Sequence, residues 1–357
     1  GNAGFASLDG KRSWGADKRP GQDTPTAEWR QEDPNTMPAG DVYGGGSPTG
    51  VAFYENGALG DKWNGLLLAC EAGKNVIFGY QPKPDGAGMK LERFDFITSN
   101  KEKEWAGSDF LGGRATGVLK TMFRPADVTV GPDGAIYFAD WYDPGVGGHG
   151  TRDNRYTGTI YRLAPKGFKS VVPKVDLATT EGQLLALRSP APNVRGAAFG
   201  RLKAQGDKVV DDVAALLTDA NPYVASRAVW LLAQLGEKGA ARARQELASA
   251  DATRRLVAFR ALRSAGRDVF ALCQSAATDA SPAVRREVAL ALRDFRTPAA
   301  VATLVTVAKG FDGKDRAYLE AIGLGAIDRE AEVYAALAKE LGAAPADWSP
   351  AFAALTW

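Results

Sequence analysis

Hydrophobic and polar residues change rhythm once along the chain. Up to about residue 165 the apolar positions fall in short β-branched and aromatic runs separated by glycine and polar turns. GVAF (50–53), GLLLACE (65–71) and NVIFGY (75–80) form one triplet, with LERFDFIT (91–98) as a fourth run. DVTV (127–130), AIYFAD (135–140) and GTIYRL (158–163) form a second. Runs of this length bounded by Gly, Pro, Asn and Asp predict strands, and Gly131-Pro132-Asp133-Gly134 predicts a hairpin turn. Tandem units of three or four short strands predict blades of a β-propeller. Two blades do not close a ring, so the missing blades are expected before Gly1, or the piece folds only in part; the opening Gly1 and the helix-like ending PAFAALTW (350–357) are expected to mark cut ends.

From about residue 178 the rhythm is helical and repeats every thirty residues. Pro192, Pro222 and Pro282 share a phase, with Ala252 in the remaining slot. Val194, Val224, Arg254 and Val284 follow, then Ala198, Ala228, Ala258 and Val288, then Leu202, Leu232, Leu262 and Leu292. Apolar residues at i, i+4 and i+8 share one helix face. Asn221-Pro222 and Ser281-Pro282 predict N-caps followed by proline at the first helical position. Second apolar stretches, Val213 to Leu217 and Val269 to Ala277, supply a second helix per repeat. The expected organisation is therefore a partial propeller over 1–165, a linker over 166–177, and an α-solenoid of HEAT-type repeats over 178–357.

Composition narrows the function classes. The net charge is +2, from 44 basic and 42 acidic residues, which disfavours a nucleic-acid or anionic-membrane partner. A single histidine, His149, rules out a histidine-rich metal site, and no CxxC or CxxCH is present. Cys70 and Cys273 are expected in the two cores. No run approaches the roughly 18 apolar residues of a membrane span.

The connections on one face of the predicted blades are long: Asp41 to Thr49, Glu71 to Lys74, Ser99 to Pro125 and Trp141 to Thr157. They carry Tyr43, Lys74, Arg124, Asp127, Asp140, Asp143, His149, Arg152, Asp153 and Arg155. Three chemistries are open to such a set. Arginine and lysine suit a phosphate or polycarboxylate. Carboxylates with glycine carbonyls suit calcium. A histidine beside an aspartate suits general-base oxidation of an alcohol. Each residue also has a structural reading: Arg124 pinning a strand through Asp127, Asp133 serving its turn, Asp140 capping a loop, Lys74 and His149 solvated. The arginines of the repeats (Arg195, Arg227, Arg254, Arg285, Arg286) read as solvated faces or inter-repeat ion pairs.

The run RPADVTVGPDGAIYFADWYDPGVGGHGTRDNRYTGTIYRLAPKG (124–167) resembles the last blade of the planctomycete and verrucomicrobial membrane-bound dehydrogenase-like, or PVC-type haem-binding, proteins. SPTGVAFYENGALGDKWNGLLLACEAGKNVIFGY (47–80) is similar to their penultimate blade. That family's propeller resembles those of pyrroloquinoline-quinone (PQQ) glucose/sorbosone dehydrogenases, followed by HEAT-like repeats and a c-type haem domain. The resemblance implies an exported oxidoreductase, periplasmic or in the cell envelope, acting on a sugar or alcohol. It implies PQQ and calcium as cofactors, with haem c only in a domain outside this chain. It assigns cofactor contact to Arg124, to Lys74 with a one-residue shift, and to Tyr43. The family's catalytic histidine and calcium ligands come from earlier blades, so His149 does not inherit that role. The reading from the residues alone keeps a second class open: a non-catalytic propeller–solenoid platform for glycan or protein, with a protein partner on the repeat array.

Overall fold

A computed structural model describes residues 40–41, 48–99, 123–141, 158–341 and 348–356. A β-sheet region precedes a helical one. The described residues divide into two compact units, 40–83 with 90–198 and 84–89 with 199–356.

The first sheet is a four-stranded antiparallel meander. Its strands β1 (Pro48–Tyr54), β2 (Leu66–Glu71), β3 (Val76–Tyr80) and β6 (Arg93–Thr98) lie in that order. The 91–98 run does serve as the fourth strand. A short hairpin, β4 (Lys83–Asp85) and β5 (Gly88–Lys90), which the periodicity did not reveal, interrupts the path between β3 and β6. The second sheet has three strands, β7 (Pro125–Val130), β8 (Ile136–Asp140) and β9 (Thr159–Leu163), again antiparallel and sequential. Among the described residues no sheet closes on itself.

Alternation explains how the two sheets meet. Leu66, Leu68 and Cys70 of β2 share one face with Ile77 of β3, and they pack with Val128, Val130, Ile136 and Phe138 of the second sheet. β1 and β7 lie side by side, and the Thr49 hydroxyl donates to the Pro125 carbonyl at 2.7 Å. Burial raises the Cys70 thiol to about 12, with the Asp127 charge adding to it, so this cysteine is a core residue. Burial likewise raises Cys273 to about 12.

The 131–134 turn forms as expected, with the Gly134 N–H donating to the Gly131 carbonyl at 2.9 Å. Gly134 has φ +81°, and a Cβ there would stand 2.7 Å from the Ala58 backbone nitrogen, so only glycine fits. Asp133 does more than shape the turn. Its buried carboxylate accepts from the Ala135 N–H (3.1 Å), the Tyr137 hydroxyl (3.0 Å) and the Ser170 hydroxyl (2.6 Å). Desolvation pushes this acid up, but the Ser170, Ala135 and Tyr137 bonds and the Arg162 charge outweigh it and hold it below the ordinary value. Residues 164–179 contain no regular element, and Ser170 ties that linker to the sheet. Asp133→Ala leaves two hydroxyls and one N–H without their acceptor. It should cost about 1–3 kcal/mol, read as a lower urea midpoint at unchanged slope.

The helical region comprises α1 (Thr180–Ala186), α2 (Pro192–Gln205), α3 (Val210–Ala214), α4 (Pro222–Leu232), α5 (Gly236–Gln245) and α6 (Ala252–Ser264). It continues with α7 (Val269–Ala276), α8 (Pro282–Leu292), α9 (Pro298–Ala308), α10 (Arg316–Ala326), α11 (Glu330–Leu341) and α12 (Pro350–Thr356). Helices α4, α6, α8 and α10 pack side by side, and each is paired with a second helix in a second layer. The periodic positions are the buried seam. Ala198, Ala228, Ala258 and Val288 are each 0% exposed, as are Leu202, Leu232, Leu262 and Leu292. The next helix of this layer begins at Arg316, so the spacing of thirty is lost after α8.

A polar ladder runs beside this seam. Ser189, Asp219, Ser249 and Asp279, each three residues before the periodic slot, accept the backbone N–H two residues on. The guanidiniums of Arg195, Arg255 and Arg285, three residues after the slot, donate to the carbonyls of 189–190, 249–250 and 279–280. Asn221 caps α4 through the Tyr223 N–H at 2.9 Å, as its sequence implies. Ser281 is the N-cap residue of α8, but its side chain makes no capping bond. The expectation is corrected there: Asp279 takes the Ser281 N–H at 2.8 Å, while proline at the first helical position removes one orphan donor.

Candidate functional site

The strand ends that carry the candidate residues converge at one end of the sheet unit. Pro48 pairs with Glu71 across β1 and β2, Pro125 with Asp140 across β7 and β8, and Asp140 with Thr159 across β8 and β9. This is the end from which the long connections leave. Tyr43, Asp143, His149, Arg152, Asp153 and Arg155 lie outside the described residues.

Arg124 is 2% exposed. Its Nη1 donates to the Ala72 carbonyl at 2.7 Å, and its backbone N–H donates to Asp140 Oδ1 at 2.9 Å. The Trp141 N–H returns to the Arg124 carbonyl at 3.1 Å. The strand pin anticipated for Arg124 thus runs through Asp140 and Ala72 rather than Asp127. Asp127 is exposed and accepts from the Val128 N–H at 2.8 Å. Asp140 is buried, and its Oδ1 accepts the Arg124 N–H across the sheet.

Lys74 ends a 3₁₀ turn, Ala72–Lys74, whose first residue is capped by Glu71 accepting the Gly73 N–H at 2.9 Å. Its ammonium is half-buried, and burial depresses its pKa. The Glu71 and Asp41 charges oppose that shift and the Arg93 charge adds to it. Asp41 accepts from Arg93 Nη1 at 2.6 Å and from the Tyr80 hydroxyl at 3.0 Å. Burial first, then Asp41, pushes the Tyr80 phenol well above its ordinary value.

Sequence reasoning missed Arg93, Tyr80 and Asn75. Asn75 has φ 58° and is 0% exposed; its Nδ2 donates to the Phe123 carbonyl at 2.5 Å, while its Oδ1 has no hydrogen-bond partner among the described residues. The signal available was an asparagine between two strand runs, a residue that tolerates the left-handed region. Arg93 and Tyr80 sit inside strand runs, where nothing local marks them.

The donor set can be tested against a polycarboxylate quinone. Arg124 gives its Nη1 to the Ala72 carbonyl. Asn75 Oδ1 calls for a donor, whereas a polycarboxylate presents acceptors. Lys74, a half-buried cation, suits an anionic group. Among the described residues no group of three or more His, Cys, Asp and Glu is placed to hold a metal ion. The chain therefore belongs to a broad class, a pair of antiparallel meanders followed by paired helices. Residues 22–166 match the model of a family described as a domain of unknown function (DUF7133). No curated protein matches the chain. Among the described residues no helix is long and apolar enough to cross a membrane.

Proposed function

We propose that the two sheets are late blades of a β-propeller and the helices a HEAT-type solenoid, within an exported quinoprotein-like oxidoreductase of sugars or alcohols. The observation that carries the reading is the adjacency of β1 and β7, the first strands of consecutive meanders, with Gly50 so close to Asp127 that any Cβ would collide. First strands lying side by side are what a ring of blades requires. In this reading the described residues brace the ring, and Lys74 lends one cation to an anionic cofactor. PQQ, calcium and the proton-abstracting base would be held outside the described residues, and haem c in a separate domain. The quinone would supply the two-electron acceptor.

The state of Arg124 and Asp140 favours a second reading, a non-catalytic propeller–solenoid platform for glycan or protein. Both groups bond across this end of the sheets, Arg124 to the Ala72 carbonyl and Asp140 to the Arg124 N–H. One titration separates the two. The full-length protein is titrated with PQQ and calcium while dye-linked oxidation is followed over a sugar panel. The oxidoreductase reading expects saturable quinone uptake with turnover, and Lys74→Ala raising the half-saturating quinone concentration about tenfold at unchanged unfolding temperature, the worth of one charge-assisted bond. A well-folded protein that takes up no quinone leaves the platform.

A further inference from the structure

Glu287, on α8, is buried among three arginines. Its Oε1 accepts from Arg260 Nη2 at 2.6 Å and Arg286 Nη2 at 2.8 Å, and Arg263 Nη1 lies 3.7 Å from its Oε2. All four residues belong to the helical unit, on neighbouring helices α6 and α8. The Arg255–Asp279 pair nearby is one cation to one anion. The Glu287 cluster is three to one, an excess of two positive charges around one carboxylate.

The donors are also incompletely used. Arg286 Nη1 reaches the Ala87 carbonyl and Arg263 Nη2 the Leu290 carbonyl at 3.3 Å, but Arg286 Nε is buried with no acceptor among the described residues. The Arg260 side chain is 43% exposed, so the cluster opens to solvent on that side. Guanidiniums gathered around too few acceptors recognise oxyanions bidentately, and they are less strongly hydrated than ammonium groups.

We propose that Arg260, Arg263 and Arg286 form an oxyanion site that takes a phosphate or carboxylate group, with Glu287 holding the guanidiniums in register. The site is independent of the propeller reading. Calorimetric titration of the whole chain with inorganic phosphate and with citrate, at low ionic strength, tests it. At least one probe should saturate a single site, and the tighter of the two names the preferred group. Arg260→Gln should weaken that probe about tenfold, as loss of one charge-assisted contact does. Glu287→Gln should tighten it, because the competing carboxylate is gone. Arg296→Gln, whose side chain contacts Ile327 and Asp328 instead, should leave it unchanged. Non-saturating uptake overturns the proposal, as does equal weakening by the Arg260 and Arg296 variants. Weaker binding by a folded Glu287→Gln protein overturns it too. Should that variant not fold, the Arg260 and Arg296 comparison decides alone.

Discussion

Arg124→Met should destabilise the sheet unit by about 2–4 kcal/mol, among the larger single-site effects, because it deletes the charged member of a buried polar assembly. The substitution roughly preserves the apolar stem, so the loss is polar. The Ala72 carbonyl loses its 2.7 Å donor inside the fold, where water does not replace it. The Arg124 N–H to Asp140 bond is main-chain and survives, so the register of β7 with β8 should hold while the link to the 3₁₀ turn loosens. Hydrogen exchange with mass readout checks this locally. Protection should fall first in 71–76, including the Gly73 and Asn75 amides, and later in 136–140. Uniform loss across both sheets would contradict a strut that acts at the turn. If Arg124 were instead a ligand contact held open for a cofactor, its removal would relieve a buried charge and leave stability unchanged or higher.

How much of this was legible in the residues depends on the range of the interactions. Strands β1, β2, β3 and β6–β9 follow from local alternation and turn residues, and the helical seam follows from apolar spacing of four within a repeat of thirty. Those signals lie within a few residues of each other. The hairpin of β4 and β5 was not legible, because 83–90 has no apolar rhythm. Nor was the partner of Arg124: the Ala72 carbonyl is a backbone atom, and backbone acceptors leave no mark in a sequence. Asp133 was readable as a turn residue but not as the acceptor for Ser170, which lies far along the chain. The polar ladder was readable in principle, since Ser189, Asp219, Ser249 and Asp279 keep the same thirty-residue phase, but small polar residues before a helix are common enough to pass as ordinary loop. Arg195 and Arg285 read from the sequence as ion-pair or surface residues; Arg195 does pair with Glu55 at 3.4 Å, and both add bonds to the preceding loop carbonyls that no sequence pattern marks.

Asp279→Ala should destabilise the helical unit by about 2–3 kcal/mol, since one carboxylate accepts three bonds that serve two functions. It accepts from Arg255 Nε and Nη2 at 2.8 Å each, a bidentate pair between successive repeats, and it takes the Ser281 N–H that begins α8. Removing it leaves Arg255 without its anion and α8 without a cap. Asp279→Asn keeps an acceptor for the Ser281 N–H but loses the charge, so it should fall between wild type and alanine. A double-mutant cycle with Arg255→Ala should return a coupling of roughly 1 kcal/mol, the discounted value for a pair that solvent still partly reaches. The pH dependence follows from the same contacts. Burial raises the Asp279 carboxyl, but the Arg255 bond, the Ser281 N–H and the charges of Arg255 and Arg285 overcome it and hold the acid below its ordinary value. The folded state therefore binds its proton less readily than the unfolded chain does. Its stabilisation is present above the unfolded carboxyl range, near pH 4, and is lost as pH falls through the lower folded value. Wild type and Asp279→Ala should accordingly differ most at neutral pH and converge under strong acid. A difference that grew on acidification would mean the carboxyl is protonated in the native repeat, and the ladder would then be a chain of neutral hydrogen bonds.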